Sequence, residues 1–170
     1  ELGLNQPLYK QYVIYAGKVL KGDFGRSWRT SQTVKDDIKQ RLPATLELVL
    51  TSGVLAVLLG IPIGVYTAVN RRGIADKILF VYGMLAGSIP DFWLGLILIF
   101  LFFSVLVIVP GPIGQLDPII SVPPYVTGAI VIDSLIAGDK EAFISAIKHL
   151  ILPVATLTLV YMGLIIKNVR

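Results

Sequence analysis

The sequence predicts an all-α membrane protein, a bundle of helices that crosses a bilayer about three times. Composition is the first reason: 55% of the 170 residues are hydrophobic, 15% are charged and the mean hydropathy is +0.77, against about 25% charged in ordinary soluble domains. Patterning is the second, because the apolar residues gather into long unbroken runs of the length a bilayer requires. The third is that Lys and Arg collect at the ends of those runs. With no Cys and one His, disulfide scaffolds and Cys/His metal clusters are excluded. The net charge of +4 bears on membrane orientation rather than on nucleic acid, and no nucleic-acid partner is expected.

Residues 1–41 are expected to form an extracytoplasmic segment with amphipathic helices. Leu8, Tyr12, Tyr15, Ala16 and Val19 recur at helical spacing before a turn at Gly22-Asp23-Phe24-Gly25, and such a helix would lie on the bilayer or on a partner. Thr33 with Asp36 resembles a capping box, and Val34, Ile38 and Leu42 continue a helix toward the first span. The chain begins at Glu1 without an initiator Met and stops at Arg170 directly after an apolar run, so it is read as part of a longer protein; no signal peptide is expected in its polar, basic first 40 residues.

Residues 42–170 are expected to form a partial transmembrane domain. The first span, 44–69, opens at Leu42-Pro43, where Pro suits a first helical turn, and closes at Asn70-Arg71-Arg72-Gly73. Pro62 lies inside and is expected to kink it. The second, 78–109, is too long for one upright crossing and too short for two. It is read as one long helix, broken at Pro90 or tilted. A re-entrant hairpin at Pro90 is the alternative, and would need its open backbone buried in protein. The third span, 150–167, has Pro153 in its first turn and ends in cations. Between the spans lie a short loop, 70–77, and a long one, 110–149. In the latter Asp139 is expected to cap a helix carrying Ala142, Phe143, Ala146 and Ile147 toward His149. The short loop carries Arg71, Arg72 and Lys77 against Asp76, and the end carries Lys167 and Arg170, which places both on the cytoplasmic side and the long loop outside. The many cations of the N-terminal segment run against that assignment, but the rule weighs short loops most.

Chemistry is sparse. Ser52, Ala56, Gly60 and Gly64 form a small-residue stripe, and Gly83 with Gly87 repeats the four-residue spacing; such stripes let helix backbones approach closely. Glu47 and Asp91 are the candidate pathway or interface residues. For each a structural reading is preferred: Glu47 in a first turn, complementing its own helix dipole, and Asp91 capping the second half of its run. Ser145, Lys148 and His149 are the one conceivable group for an intramembrane hydrolase, and they lack any accompanying motif. No phosphate-cradling loop is present. Catalytic, cofactor-binding and metal residues are therefore expected to be absent, and energy must come from elsewhere.

Seven stretches, in order along nearly the whole chain, resemble the permease subunit of dipeptide and oligopeptide ABC transporters, in the type I inner-membrane permease superfamily. They are LNQPLYKQY (4–12), GDFGRS (22–27), RLPATLEL (41–48), GIPIG (60–64), SIPDFWLG (88–95), GQLD (114–117) and HLILPVATL (149–157). The resemblance implies a six-span, multi-pass protein of the inner membrane. It also implies a second permease, two cytoplasmic ATPases that bind ATP and Mg, and an extracytoplasmic substrate-binding protein. On that mapping the present runs are spans two to four, the first lies before Glu1, and the cytoplasmic coupling loop and last two spans follow Arg170. Many relatives would carry a small residue such as Ser where this chain has Asp91. Peptides are the expected cargo; nickel complexes or oligosaccharides carried by the same architecture, or a passive channel or scaffold subunit, are the alternatives.

Overall fold

The computed structural model describes residues 5–70 and 73–170, and every named element among them is a helix. Arg71 and Arg72, the cations of the short loop, lie outside the described residues. The chain divides into two compact units, Glu1–Pro43 and Ala44–Arg170.

The first unit holds α1, Leu8–Leu20, which ends where the Asp23 N–H donates to the Lys18 carbonyl and Gly22 adopts a φ of +78°. A tight loop follows. The Asp23 carboxylate accepts from the Gly25 N–H at 3.0 Å, and an isolated bridge pairs Arg26 with Thr33. Thr33 then accepts from the Asp36 N–H at 3.2 Å, which supplies the cap that begins α2, Val34–Val69. This corrects the expected start at Pro43. The Thr33 cap and the spacing of Val34, Ile38 and Leu42 carry one helix through Pro43, and it also continues through Pro62.

The second unit contains the remainder of α2 with α3 (Ile74–Ala86), α4 (Asp91–Ile99, extended by a π-helical turn Phe100–Val105), α5 (Ile130–Ala137) and α6 (Lys140–Val169). α6 is the axis, and α3, α4 and α5 all pack on it. The expected loop 110–149 therefore ends early. Asp139 accepts from the Ala142 N–H at 3.0 Å and starts a single 30-residue helix, so Pro153 lies in a helix interior and not in a first turn. Likewise α3 begins at Ile74, inside the stretch expected as loop 70–77.

Between α3 and α4 the axis turns by 108°. Gly87 ends α3, and Pro90, with φ −63° and ψ 136°, cannot continue it and instead opens α4. The bend is sharper than a tilted helix would show and has the form of a broken crossing or a re-entrant turn. Asp76 meets Arg170, Gly83 lies against Gly163, Gly95 lies against Thr156, and Asp117 beyond α4 meets Ser145. The chain thus advances steadily along α6; from Arg170 to Thr156 that is about 21 Å at 1.5 Å per residue.

The packing is inverted relative to a soluble domain. Inside lie small and hydroxyl residues, among them Ser52, Ala56, Thr67, Ala142 and Thr158, while Leu50, Leu58, Tyr66 and Phe100 are exposed. Close backbone approach inside an apolar exterior is what a lipid solvent selects. The buried hydroxyls bond to helix carbonyls: Ser52 donates to Leu48 at 2.8 Å and Thr67 to Gly64 at 2.8 Å.

Candidate functional site

The polar groups gather where α5, the start of α6 and the 110–117 segment meet. Ser145 on α6 and Asp117 bind reciprocally: the Ser145 hydroxyl donates to Asp117 Oδ2 at 3.0 Å and accepts from the Asp117 N–H at 3.0 Å. His149, one turn on, places Nδ1 2.9 Å from the Ser145 carbonyl oxygen. A carbonyl only accepts, so Nδ1 carries a proton, and Nε2 faces Asp117 Oδ1 at 3.8 Å. The imidazole is almost fully buried. These contacts clamp the GQLD stretch onto α6.

Glu47 performs a related task. It was expected to complement the dipole of its own helix in a first turn, but α2 begins well before it. Its carboxylate instead accepts from the Val131 N–H at 3.1 Å, in the first turn of α5 and 84 residues away. An anion there satisfies an orphan N–H and the positive end of the α5 dipole. Asp133 braces the same short helix. It accepts from the backbone N–H groups of Val126, Thr127 and Gly128 and from the Thr127 hydroxyl, at 2.7–3.2 Å. Burial raises its pKa, but these hydrogen bonds, led by the Thr127 hydroxyl, outweigh it and hold the group at about 2, below its ordinary 3.8.

Two cavities flank His149. One of about 460 Å³ lies between α4, the Pro110–Gly114 segment and α6, with Asp91, Phe92 and Lys148 on its walls. A second of about 250 Å³ lies between Glu47 on α2, Gln115 and α6. Asp91 makes no cap hydrogen bond; Pro90 holds the cap position and Asp91 is the exposed first residue of α4. The expected capping role is thus corrected, because residue 91 already has helical geometry and its side chain has passed the cap.

At the opposite end of α6, Arg170 Nε lies 2.7 Å from Asp76 Oδ1 and its Nη2 donates to Oδ2 at 3.1 Å, with the guanidinium stacked 4.8 Å from the Phe80 ring centre. This two-point pair ties the start of α3 to the end of α6 beside a cavity of about 560 Å³.

The small-residue stripes occupy the helix seams. Ser52, Ala56, Gly60 and Gly64 are all buried on α2. A Cβ on Gly60 would meet Ile165 at 3.0 Å, and one on Gly64 would meet Val169 at 2.9 Å. Thr158 on α6 reaches the Ser52 carbonyl at 3.4 Å, a long hydrogen bond. Gly83 is buried against the Gly163 carbonyl, whereas Gly87 is exposed, because α3 stops there and the stripe stops with it. Pro62 sits within the continuous α2 and Pro90 at the sharp break.

Sequence reasoning missed Gly163, whose added Cβ would collide with the Ala86 Cβ, and Tyr82, whose hydroxyl donates to the Leu159 carbonyl. A lone glycine in an apolar run carries no spacing signal. It also missed Asp133, although an acid just after Thr127-Gly128 in an otherwise apolar stretch was a usable cue. The hydrolase group is not assembled: the Ser145 proton goes to Asp117, the His149 Nδ1 faces a backbone carbonyl, and Lys148 is exposed. Among the described residues no cluster of His, Cys, Asp or Glu has metal-binding geometry.

Comparison with known proteins places this architecture. Residues 60–170 match the family profile of the binding-protein-dependent transport system inner membrane component. The whole chain is 41% identical over 170 residues to a probable D,D-dipeptide transport system permease protein of Escherichia coli (strain K12), covering 50% of that protein. It is 36% identical over 169 residues to a di/tripeptide transport system permease protein of Pseudomonas aeruginosa (strain UCBPP-PA14), 99% of this chain and 50% of the relative. A putrescine export system permease protein of Escherichia coli (strain K12) is 32% identical over 166 residues, 96% of this chain and 51% of the relative. The chain spans about half the length of these curated relatives. With the matched residues forming the glycine-seamed, apolar-surfaced helices described above, the chain belongs to the family of binding-protein-dependent transport system inner membrane components.

Proposed function

We propose that the full-length protein carrying this chain is the membrane-spanning permease subunit of an ATP-driven transporter. With a second permease it forms a pathway for di- or oligopeptides delivered by an extracytoplasmic binding protein. ATP and Mg are bound by two partner ATPases. The observation that carries the reading is the end-to-end match to relatives named for dipeptide and di/tripeptide transport. The helices support it physically. Alternating access needs elements that repack between two arrangements, and α6 meets α2 and α3 across seams of small residues, while the α3–α4 break supplies a jointed third wall. On this reading α3 and α4 together make one broken crossing. The Asp76–Arg170 end is cytoplasmic, following Lys77, Lys167 and Arg170, and the Asp117–His149 clamp is extracytoplasmic. Residues 5–43 then lie outside, and Glu47 and Asp133 hold an outer lid of α5 over the bundle.

The test is affinity purification of the full-length protein from its native membrane, followed by assay of ATP hydrolysis. Co-purification of ATPase subunits whose hydrolysis rises on adding the peptide-loaded binding protein is expected. A homogeneous protein that moves peptide down a gradient without any ATPase would make it a passive channel. The relative named for putrescine export sets the alternative cargo to include in the same assay.

A further inference from the structure

α1 carries its apolar residues on the outside. No residue of this helix is buried, and Leu8, Tyr9, Tyr12, Val13 and Leu20 are 66–88% exposed. At 3.6 residues per turn, or about 100° per residue, these five occupy a continuous arc of about 140°. Lys10, Lys18 and Lys21 fall on the opposite side, about 130–150° from the centre of the arc. Of the half-covered residues, Gln11, Ile14, Gly17 and Lys18 lie on the far side, while the smaller Ala16 and Val19 fall between the exposed residues of the arc. A helix of a water-soluble surface would have the opposite arrangement.

We propose that α1 is an interfacial helix, lying along the bilayer surface with the Leu8–Tyr12–Leu20 arc in the boundary between headgroups and acyl chains. Three observations choose lipid as the occupant. Residues 5–22 hold three Lys and no carboxylate, which suits anionic phosphate headgroups. Two of the five arc residues are Tyr, with an apolar ring and a hydroxyl that favour this depth. The lysines lie on the face opposite the arc, the cationic polar face of a helix lying in the interface plane, from which their ammonium groups reach phosphate. Leu20 is 24 residues before Ala44, where the apolar run of α2 begins, so the chain between them is long enough to let α1 reach the bilayer surface.

These 170 residues contain no Cys, so once any cysteine elsewhere in the full-length protein is replaced, single sites here can be spin labelled. The full-length protein would be placed in nanodiscs of phosphatidylcholine with phosphatidylglycerol and labelled in turn at Tyr12→Cys, Leu20→Cys, Lys10→Cys and Gly17→Cys. Leu50→Cys, exposed on α2, reports that each sample is correctly inserted. The expected result is an oxygen-to-nickel-complex accessibility ratio at least about threefold higher at 12 and 20 than at 10 and 17, falling when phosphatidylglycerol is omitted. Equal access of the nickel complex to all four sites would show a solvated helix and overturn the proposal. Shielding of 12 and 20 from both oxygen and nickel would show a protein partner on the arc and overturn it equally.

Discussion

Replacing Gly163 by Ala should pry α3 from α6. The new Cβ would collide with the Ala86 Cβ and lie 3.5 Å from the Tyr82 ring. Ala86 Cβ is fixed to its backbone and has no rotamer by which to withdraw, so the helices must part. Overpacking of this kind costs about 1–3 kcal/mol, and separation also strains the Tyr82–Leu159 hydrogen bond, worth about 1 kcal/mol. Against this, Ala gains about 1 kcal/mol over Gly in helix propensity. The net is a loss of about 2 kcal/mol, roughly thirtyfold in the unfolding equilibrium. Ala86→Gly made alone should cost about 1 kcal/mol by propensity. Combined with Gly163→Ala it should restore near-parental stability, because the two propensity changes cancel and the collision is gone. The coupling between the sites should therefore be about 2–3 kcal/mol. Equilibrium unfolding of the full-length protein in mixed micelles, followed by loss of helicity, measures all four corners of the cycle. A Gly163→Ala protein as stable as the parent, or one that Ala86→Gly fails to rescue, would refute the seam as described.

Glu47→Ala removes the acceptor for the Val131 N–H and should loosen α5 by about 1.5–3 kcal/mol, read as faster amide exchange over 130–137 with the seams elsewhere unchanged. Asp133 gives a pH dependence of fixed sign. The folded carboxylate stays ionised down to about 2 whereas the unfolded one protonates near 3.8. Its stabilisation is thus complete above about pH 4 and disappears as pH falls through about 2. Exchange at the 126–128 amides should rise in that window, and Asp133→Asn should raise it already at neutral pH. Val107, a β-branched residue with φ +51° at the end of the π-helical turn, is strained, and Val107→Gly should stabilise by about 1 kcal/mol in the same micelle assay.

Much of the architecture was legible because lipid reduces folding to a few readable demands. Runs such as 44–69 must be helical to satisfy their backbone, and Asp139 preceding an apolar periodicity supplies a cap; proline is a weaker guide, since the chain breaks before Pro90 but α2 and α6 run on through Pro43, Pro62 and Pro153. Boundaries were less legible. The apolar run of α6 starts near Leu150, yet the helix starts at Lys140, since hydropathy marks the lipid-facing stretch and not the hydrogen-bonded one. The long-range contacts were not legible at all. Nothing local in Glu47 points to Val131, nor in Asp117 to Ser145, because each pair meets only after α6 has ordered the segments between. Gly60 and Gly64 could be found by their period, whereas Gly163, which makes the tightest seam, had no period to reveal it.

The most direct test of the account is transport itself. The full-length protein, reconstituted in proteoliposomes with the proposed second permease and ATPases, would be given radiolabelled dipeptide on the proposed binding protein. Accumulation against a gradient that requires ATP and stops when the ATPases are omitted is the expected result. Peptide movement unchanged without ATP, or none under any condition while the assembled complex hydrolyses ATP in response to another cargo, would contradict a peptide permease.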